Sequence, residues 1–305
     1  MAGSIVVEVG PDLFVVVDSV VSPPQLTAVT RIETASRLST PRSRVIWGKV
    51  PFRINPYTQG PRAAIGLIHG FAQTRRCWGS LTEHLSGRFT VRPIDAPGHG
   101  EAAAQRLGLA AAAQSLADEI GPGIYLGYSM GGRLALHAAL ARPAEVRALV
   151  LVSATPGIES DDEREQRRRD DETLAAHIEA VGVERFVDEW LAGPLFDRLD
   201  DTNWFVEERR TNTVAGLASS LRLAGAGAQT PLWERLGEMS MPVLVVAGAE
   251  DAKYTDLAIR TAAAIGANAT LAVIDGAGHS AHLERPDAFA AALDAWLAAV
   301  STTGQ

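Results

Sequence analysis

The chain has 305 residues, 47% of them hydrophobic and 21% charged, enough to bury a full core and to form one large domain carrying an insertion. Its formal net charge of −8 opposes nucleic acid and anionic membrane as partners, so an anionic substrate would have to be held by local positive charge. Cys77 is the only cysteine, which excludes an intrachain disulfide and a cysteine-based metal cluster.

The first 60 residues are the least legible. The runs "SIVVEV", "LFVVVDSVV" and "RVIWGKV" read as strands, separated by the loop-like "SPPQ" and "STPRSR". They read either as antiparallel edge strands or as a partly mobile lead. Glu8 and Asp12 stand where a signal peptide carries lysine or arginine, and no apolar stretch reaches the roughly 18 residues of a spanning helix. A cytoplasmic protein without membrane or nucleic-acid partners is expected.

From residue 63 short apolar runs alternate with alanine-rich helical periods, the pattern of an α/β fold with a mostly parallel sheet flanked by helices. Strands are predicted at Ala63–His69, Phe89–Asp95, Gly123–Ser129, Val146–Ala154, Val243–Gly248 and Thr270–Asp275. Helices fall near Cys77–Ser86, Gln105–Ile120, Met130–Ala141, Asp256–Ile265 and Pro286–Val300. The alternation breaks between Gly157 and Gly237, which reads as an inserted helical cap. Residues 61–156 and 238–300 would then form the core, with 301–305 a tail. The run "ESDDEREQRRRDDE" at the cap entrance is mixed enough in charge to be a solvated, ion-paired helix face.

Within this frame "GYSMG", Gly127 to Gly131, is a G-x-S-x-G directly after a strand and before a helix, which makes Ser129 the candidate nucleophile or base. A serine hydroxyl needs an oriented base. His279 in "DGAGHSAH" follows the last strand at the same sheet edge, with His282 its near competitor. The strand ending "VAGAEDAKY" supplies Asp251 as the orienting acid, with Glu250 as the alternative. "IHGF" would place the Phe71 N–H opposite that of Met130 as an oxyanion hole, with His69 bracing the loop. "DAPGHG", Asp95 to Gly100, reads as architectural. No residue cluster implies a metal or cofactor.

The landmarks "HGF", "DAPGHG", "GYSMGG", "GAED" and "GAGHSAHLERP", in this order, resemble the α/β-hydrolase superfamily over roughly residues 63–300. Narrower features resemble one family within it, the 2-succinyl-6-hydroxy-2,4-cyclohexadiene-1-carboxylate synthases, which eliminate pyruvate in menaquinone biosynthesis. They are "GYSMGGRLAL", "PGIESDDEREQRRRDDE", "FVDEWLAGPLF" and "ERRTNTVAGLASSL". The resemblance implies a small-molecule polycarboxylate substrate, a cofactor-independent lyase reaction, and a substrate-binding set of Tyr128, Arg133, Arg167, Trp190 and Arg210. Arg167, Arg168 and Arg169 are adjacent, so the inward member is open by a residue. Arg133 lies one helical turn past Ser129, where a guanidinium fork suits a carboxylate; a surface ion pair is the alternative. An ordinary ester or carbon–carbon hydrolase, and a binding module on a hydrolase scaffold, are the rival readings.

Overall fold

The computed structural model describes residues 62–199, 202 and 204–302, and the backbone of four N-terminal strands: β1 (Ser4–Gly10), β2 (Leu13–Asp18), β3 (Val29–Thr34) and β4 (Arg44–Ile46). β1, β2 and β3 pair antiparallel in a sheet of their own. The rest of the lead, expected to be partly mobile, lies outside the described residues.

The regular alternation gives β5 (Ala64–Ile68), β6 (Thr90–Ile94), β7 (Gly123–Tyr128), β8 (Val146–Val152), β9 (Val243–Gly248) and β10 (Ala269–Ile274). These are mutually parallel in the order β10-β9-β8-β7-β5-β6, and β4 adds antiparallel to β10 at the edge. Both faces of the sheet are covered, so β7 and β9 are buried at every position. The two-residue period sends Val243, Val245 and Ala247 of β9 into one core and Leu244 and Val246 into the other.

The helices are α1 (Leu81–Ser86), α2 (Leu109–Ile120), α3 (Met130–Ala141), α4 (Asp161–Leu191), α5 (Val206–Arg210), α6 (Val214–Ala224), α7 (Ala252–Ile265), α8 (Ala281–Glu284) and α9 (Pro286–Thr302). Side chains of α2, α3 and α7 join the first core, and those of α1 and α9 join the second. The expected α/β architecture is thus present, with shifted helix starts. α7 begins at Ala252 rather than Asp256 because the Asp251 carboxylate caps it, accepting the Tyr254 N–H at 3.1 Å. α1 begins at Leu81, the stretch from Thr74 being taken up by turns.

Between β8 and β9 the chain leaves the sheet to form α4, α5 and α6. Ser160 opens α4, its hydroxyl accepting the Glu163 N–H at 3.3 Å, and Gly182, at φ 81°, breaks it. Much of the charged run is ion-paired along the helix, Arg168 and Arg169 with Glu165 among others. The apolar faces meet beneath, where Ile178, Phe186 and Val187 of α4 pack with Leu217 and Leu221 of α6 and reach Ala72 in the loop after β5.

The strand order positions the site. β6 lies on one side of β5, and β7 to β10 build out from the other, so the direction reverses between β5 and β7. Ligands of open parallel sheets bind beyond the carboxyl ends of the strands at such a reversal. The "HGF" loop and the "GYSMG" turn both begin there.

Candidate active site

Ser129 joins β7 to α3 at φ 50°, ψ −109°, a strained conformation for a residue with a side chain. The neighbouring glycines permit it: a Cβ on Gly131 would overlap the Ile68 carbonyl, and one on Gly127 would overlap the Gly131 carbonyl. The Ser129 N–H is tied to the Val152 carbonyl at 2.8 Å. The turn is therefore held from both adjacent strands, and the hydroxyl projects beyond the sheet edge.

His279, in the loop after β10, reaches Ser129 Oγ through Nε2 at 3.1 Å and Asp251 Oδ2 through Nδ1 at 2.8 Å. With Nδ1–H donating to the carboxylate, Nε2 is left to accept the serine proton. Burial works to raise the Asp251 carboxyl, but the bond from His279 and the Tyr254 N–H outweigh it and hold the group below its usual value. The Tyr254 ring stands edge-on to His279 at 4.4 Å between centroids. The two alternatives lie elsewhere. Glu250 pairs with Arg198 at 3.2 Å, and His282 is buried among Trp78, Tyr128 and Phe289, where burial lowers it to about 3.

The loop after β5 is braced by two neutral histidines. His69 Nδ1 donates to the Gly70 carbonyl at 2.7 Å while Nε2 accepts the Ala96 N–H at 3.1 Å, and His99 Nε2 accepts the Ala72 N–H at 3.2 Å. Burial lowers them to about 4 and about 3 respectively. Asp95 accepts the Arg75 and Glu101 N–H groups, so "DAPGHG" serves the loop architecture. Among the described residues neither the Phe71 nor the Met130 N–H has a hydrogen-bond partner.

Beside Ser129 lies a cavity of about 30 Å³ whose walls include Phe71, Gln73, Tyr128, Trp190, Arg209 and His279. Trp190 stacks on Phe186 and meets Phe71 edge-on, each at 5.7 Å. Arg133, on α3, is buried, its Nη1 donating to the Ala224 carbonyl at 2.9 Å. No carboxylate pairs with it among the described residues, and burial lowers it to about 10. Arg133 is thus not a surface ion pair. Its charged neighbours are Arg167 and Asp171, the arginine donating to the carboxylate at 2.7 Å, whereas Arg168 and Arg169 turn to Glu165. Arg167 is the member of the triplet nearest Arg133, but it is exposed, and neither arginine takes part in the wall of the cavity beside Ser129.

One expectation needs correction. Arg210 pairs with Asp188 and Glu207, at 2.7 and 2.8 Å, and takes no part in the cavity wall. Arg209 does, fully buried, with Nε on the Trp204 carbonyl at 2.6 Å and Nη1 on the Ala72 carbonyl at 3.3 Å. Phe205 enters α5 at φ 53°, and this left-handed entry fixes the rotation of the short helix. The pair "RR" in the sequence carries no sign of it.

The triad joins the turn after β7, the end of β9 and the loop after β10. Residues 67–292 match the model of the alpha/beta hydrolase family. The chain belongs to the alpha/beta hydrolase family. Within it, the chain is 34% identical over 258 residues to a Bacillus subtilis protein provisionally named 2-succinyl-6-hydroxy-2,4-cyclohexadiene-1-carboxylate synthase, covering 79% of this chain and 93% of that one. A synthase of the same name from Citrobacter koseri is 30% identical, covering 72% and 88%. The solved structure of MenH from S. aureus superposes with a TM-score of 0.73 at 26% identity, covering 85% of this chain and 99% of that chain. As for an alpha/beta hydrolase of this kind in a membrane, no helix among the described residues is long and apolar enough to cross one.

Proposed function

We propose that the protein is a carbon–oxygen lyase that eliminates pyruvate from 2-succinyl-5-enolpyruvyl-6-hydroxy-3-cyclohexene-1-carboxylate, a step of menaquinone biosynthesis. The observation that carries this reading is a Ser–His–Asp triad opening on a cavity walled by Arg209, a buried guanidinium with a nitrogen left unpartnered. A neutral ester has no use for that charge. The likeness to relatives bearing the synthase name supports the same substrate class.

In this reaction the ring C–H beside the succinyl carbonyl loses its proton, one ring double bond becomes a conjugated pair, and the ring C–O bond to the enolpyruvyl group breaks. The leaving group takes the bonding electrons and a proton and departs as pyruvate. Ser129 and His279 act as the base, with Asp251 stabilising the imidazolium that results. Charge developing on the succinyl oxygen falls to the Phe71 and Met130 N–H groups. No acyl-enzyme is needed. Tyr128 and Trp190 supply walls, and Arg209 offsets a substrate carboxylate against a net charge of −8, with Arg133 and Arg167 adding positive charge from outside the cavity wall. A cytoplasmic setting and the division into core (61–156, 238–300) and cap (157–237) belong to the same proposal.

Ultraviolet absorbance tests it. Elimination creates a cyclohexadiene, so a diene band should grow as substrate is consumed. Consumption of the substrate without that band would replace the lyase with a hydrolase.

A further inference from the structure

The cavity beside Ser129 gathers three buried donors without acceptors. Among the described residues, Arg209 Nη2, Trp190 Nε1 and Gln73 Nε2 each lack a hydrogen-bond partner, and all three residues wall the same space. A buried polar atom left unpaired costs roughly 1–3 kcal/mol, so three in one cavity call for an explanation. An anionic ligand with several acceptor lone pairs provides one.

Gln73 is the member that no motif pointed to. It is 1% exposed, and its Oε1 accepts the Gly70 N–H at 2.9 Å. Since only the oxygen can accept, this bond fixes which way the amide lies and leaves Nε2 as a pure donor. The backbone is fixed as well: the Gln73 N–H reaches the Gly70 carbonyl at 3.2 Å, and the Gln73 carbonyl accepts from Asn212 of the cap at 3.4 Å. An amide held this firmly cannot turn to find another acceptor.

We propose that Gln73 is a substrate-contacting residue whose Nε2–H donates to a substrate carboxylate, completing with Arg209 and Trp190 a three-donor seat beside Ser129. This rests on the polycarboxylate reading above. The arginine supplies charge and the neutral amide supplies direction. A carboxylate held by both is fixed relative to the serine, so Gln73 would govern which anionic substrates are aligned for reaction.

Gln73→Glu separates this role from a structural one. The glutamate keeps an oxygen for the Gly70 N–H but turns the donor into an acceptor bearing negative charge. Two measurements apply: KM and kcat on the enolpyruvyl substrate, and the Kd of succinate followed by tryptophan fluorescence, which needs no elimination activity. For Gln73→Glu the account expects KM and the succinate Kd each to rise about ten- to a hundredfold, with a smaller change in kcat. It expects a loss on p-nitrophenyl acetate at least about tenfold smaller than on the enolpyruvyl substrate. Gln73→Met, which lacks the charge, should fall between. Unchanged KM and Kd in Gln73→Glu, equal losses on both substrates, or no succinate binding by the unaltered protein would each overturn the seat. If the unaltered protein binds succinate but releases no pyruvate, the lyase reading fails, while a weakened succinate Kd in Gln73→Glu still supports the seat.

Discussion

Arg209 and Arg210 are neighbours in the chain and face opposite ways. Arg209 lies fully buried against the Ala72 and Trp204 carbonyls, and Arg210 lies at the surface between Asp188 and Glu207. Replacing each by alanine should therefore have very different consequences. Truncating a desolvated charge that meets an anion costs roughly 2–5 kcal/mol, on the order of thirtyfold to several thousandfold in kcat/KM. Arg209→Ala is expected in that range on the enolpyruvyl substrate. Arg210→Ala removes only exposed ion pairs and should change kcat/KM by less than about threefold. The reverse ranking would return the binding role to Arg210.

Arg133 bears on the same charge problem from below the serine turn. It is buried, without a directly bonded carboxylate among the described residues, one turn after Ser129 and near the Arg167–Asp171 pair. Arg133→Ala is expected to lose on the order of thirtyfold or more in kcat/KM on the polycarboxylate, and Arg133→Lys to recover only part, because an ammonium cannot reproduce the planar fork. Steady-state kinetics on both the enolpyruvyl substrate and a small neutral ester give the check. Equal losses on the two would assign Arg133 to support of the serine turn.

Ser129, His279 and Asp251 form one hydrogen-bonded chain, so their contributions should not add. Ser129→Ala, His279→Ala and Asp251→Asn should each remove most turnover, and the triple variant should be little worse than Ser129→Ala. Circular dichroism should report the native fold in all of them. A His279→Ala protein with near-normal rate would show that the base is elsewhere.

The parts of this site that could be read from the sequence are those in which chemistry and backbone coincide. "GYSMG" is legible because glycine is required wherever a Cβ would strike a carbonyl, and His279 and Asp251 follow strands whose apolar runs are unmistakable. Telling Arg167 from its neighbours required the helix itself, since three consecutive arginines spread over roughly half of its circumference. Arg209 was missed because the rotation of α5 depends on the conformation of Phe205, and Gln73 because its amide gains meaning only from the Gly70 bond and the cavity. The start of α7 differs from the sequence pattern for a related reason: Asp251 both pairs with His279 and caps the helix.

The buried histidines make stability depend on acidity. His69 and His137 are lowered to about 4, and His99 and His282 to about 3, chiefly by burial, against about 6.5 in an unfolded chain. Below pH 6.5 the unfolded chain takes up protons that the native protein refuses, so stability is present in full above that value and is lost as pH falls toward 4. Asp251, held below its usual value, acts in the same direction. The urea midpoint should therefore drop steadily between pH 6.5 and 4.5. A flat midpoint across this interval would mean that these histidines are protonated in the native state.

The proposed reaction requires the triad to remove a carbon-bound proton and expel pyruvate. The most direct measurement mixes the full chain with freshly prepared enolpyruvyl substrate and follows pyruvate through lactate dehydrogenase and the loss of NADH absorbance. One pyruvate should appear for each substrate consumed, and release should be at least about a hundredfold slower with Ser129→Ala. An absence of pyruvate from a preparation that still hydrolyses p-nitrophenyl acetate would contradict it.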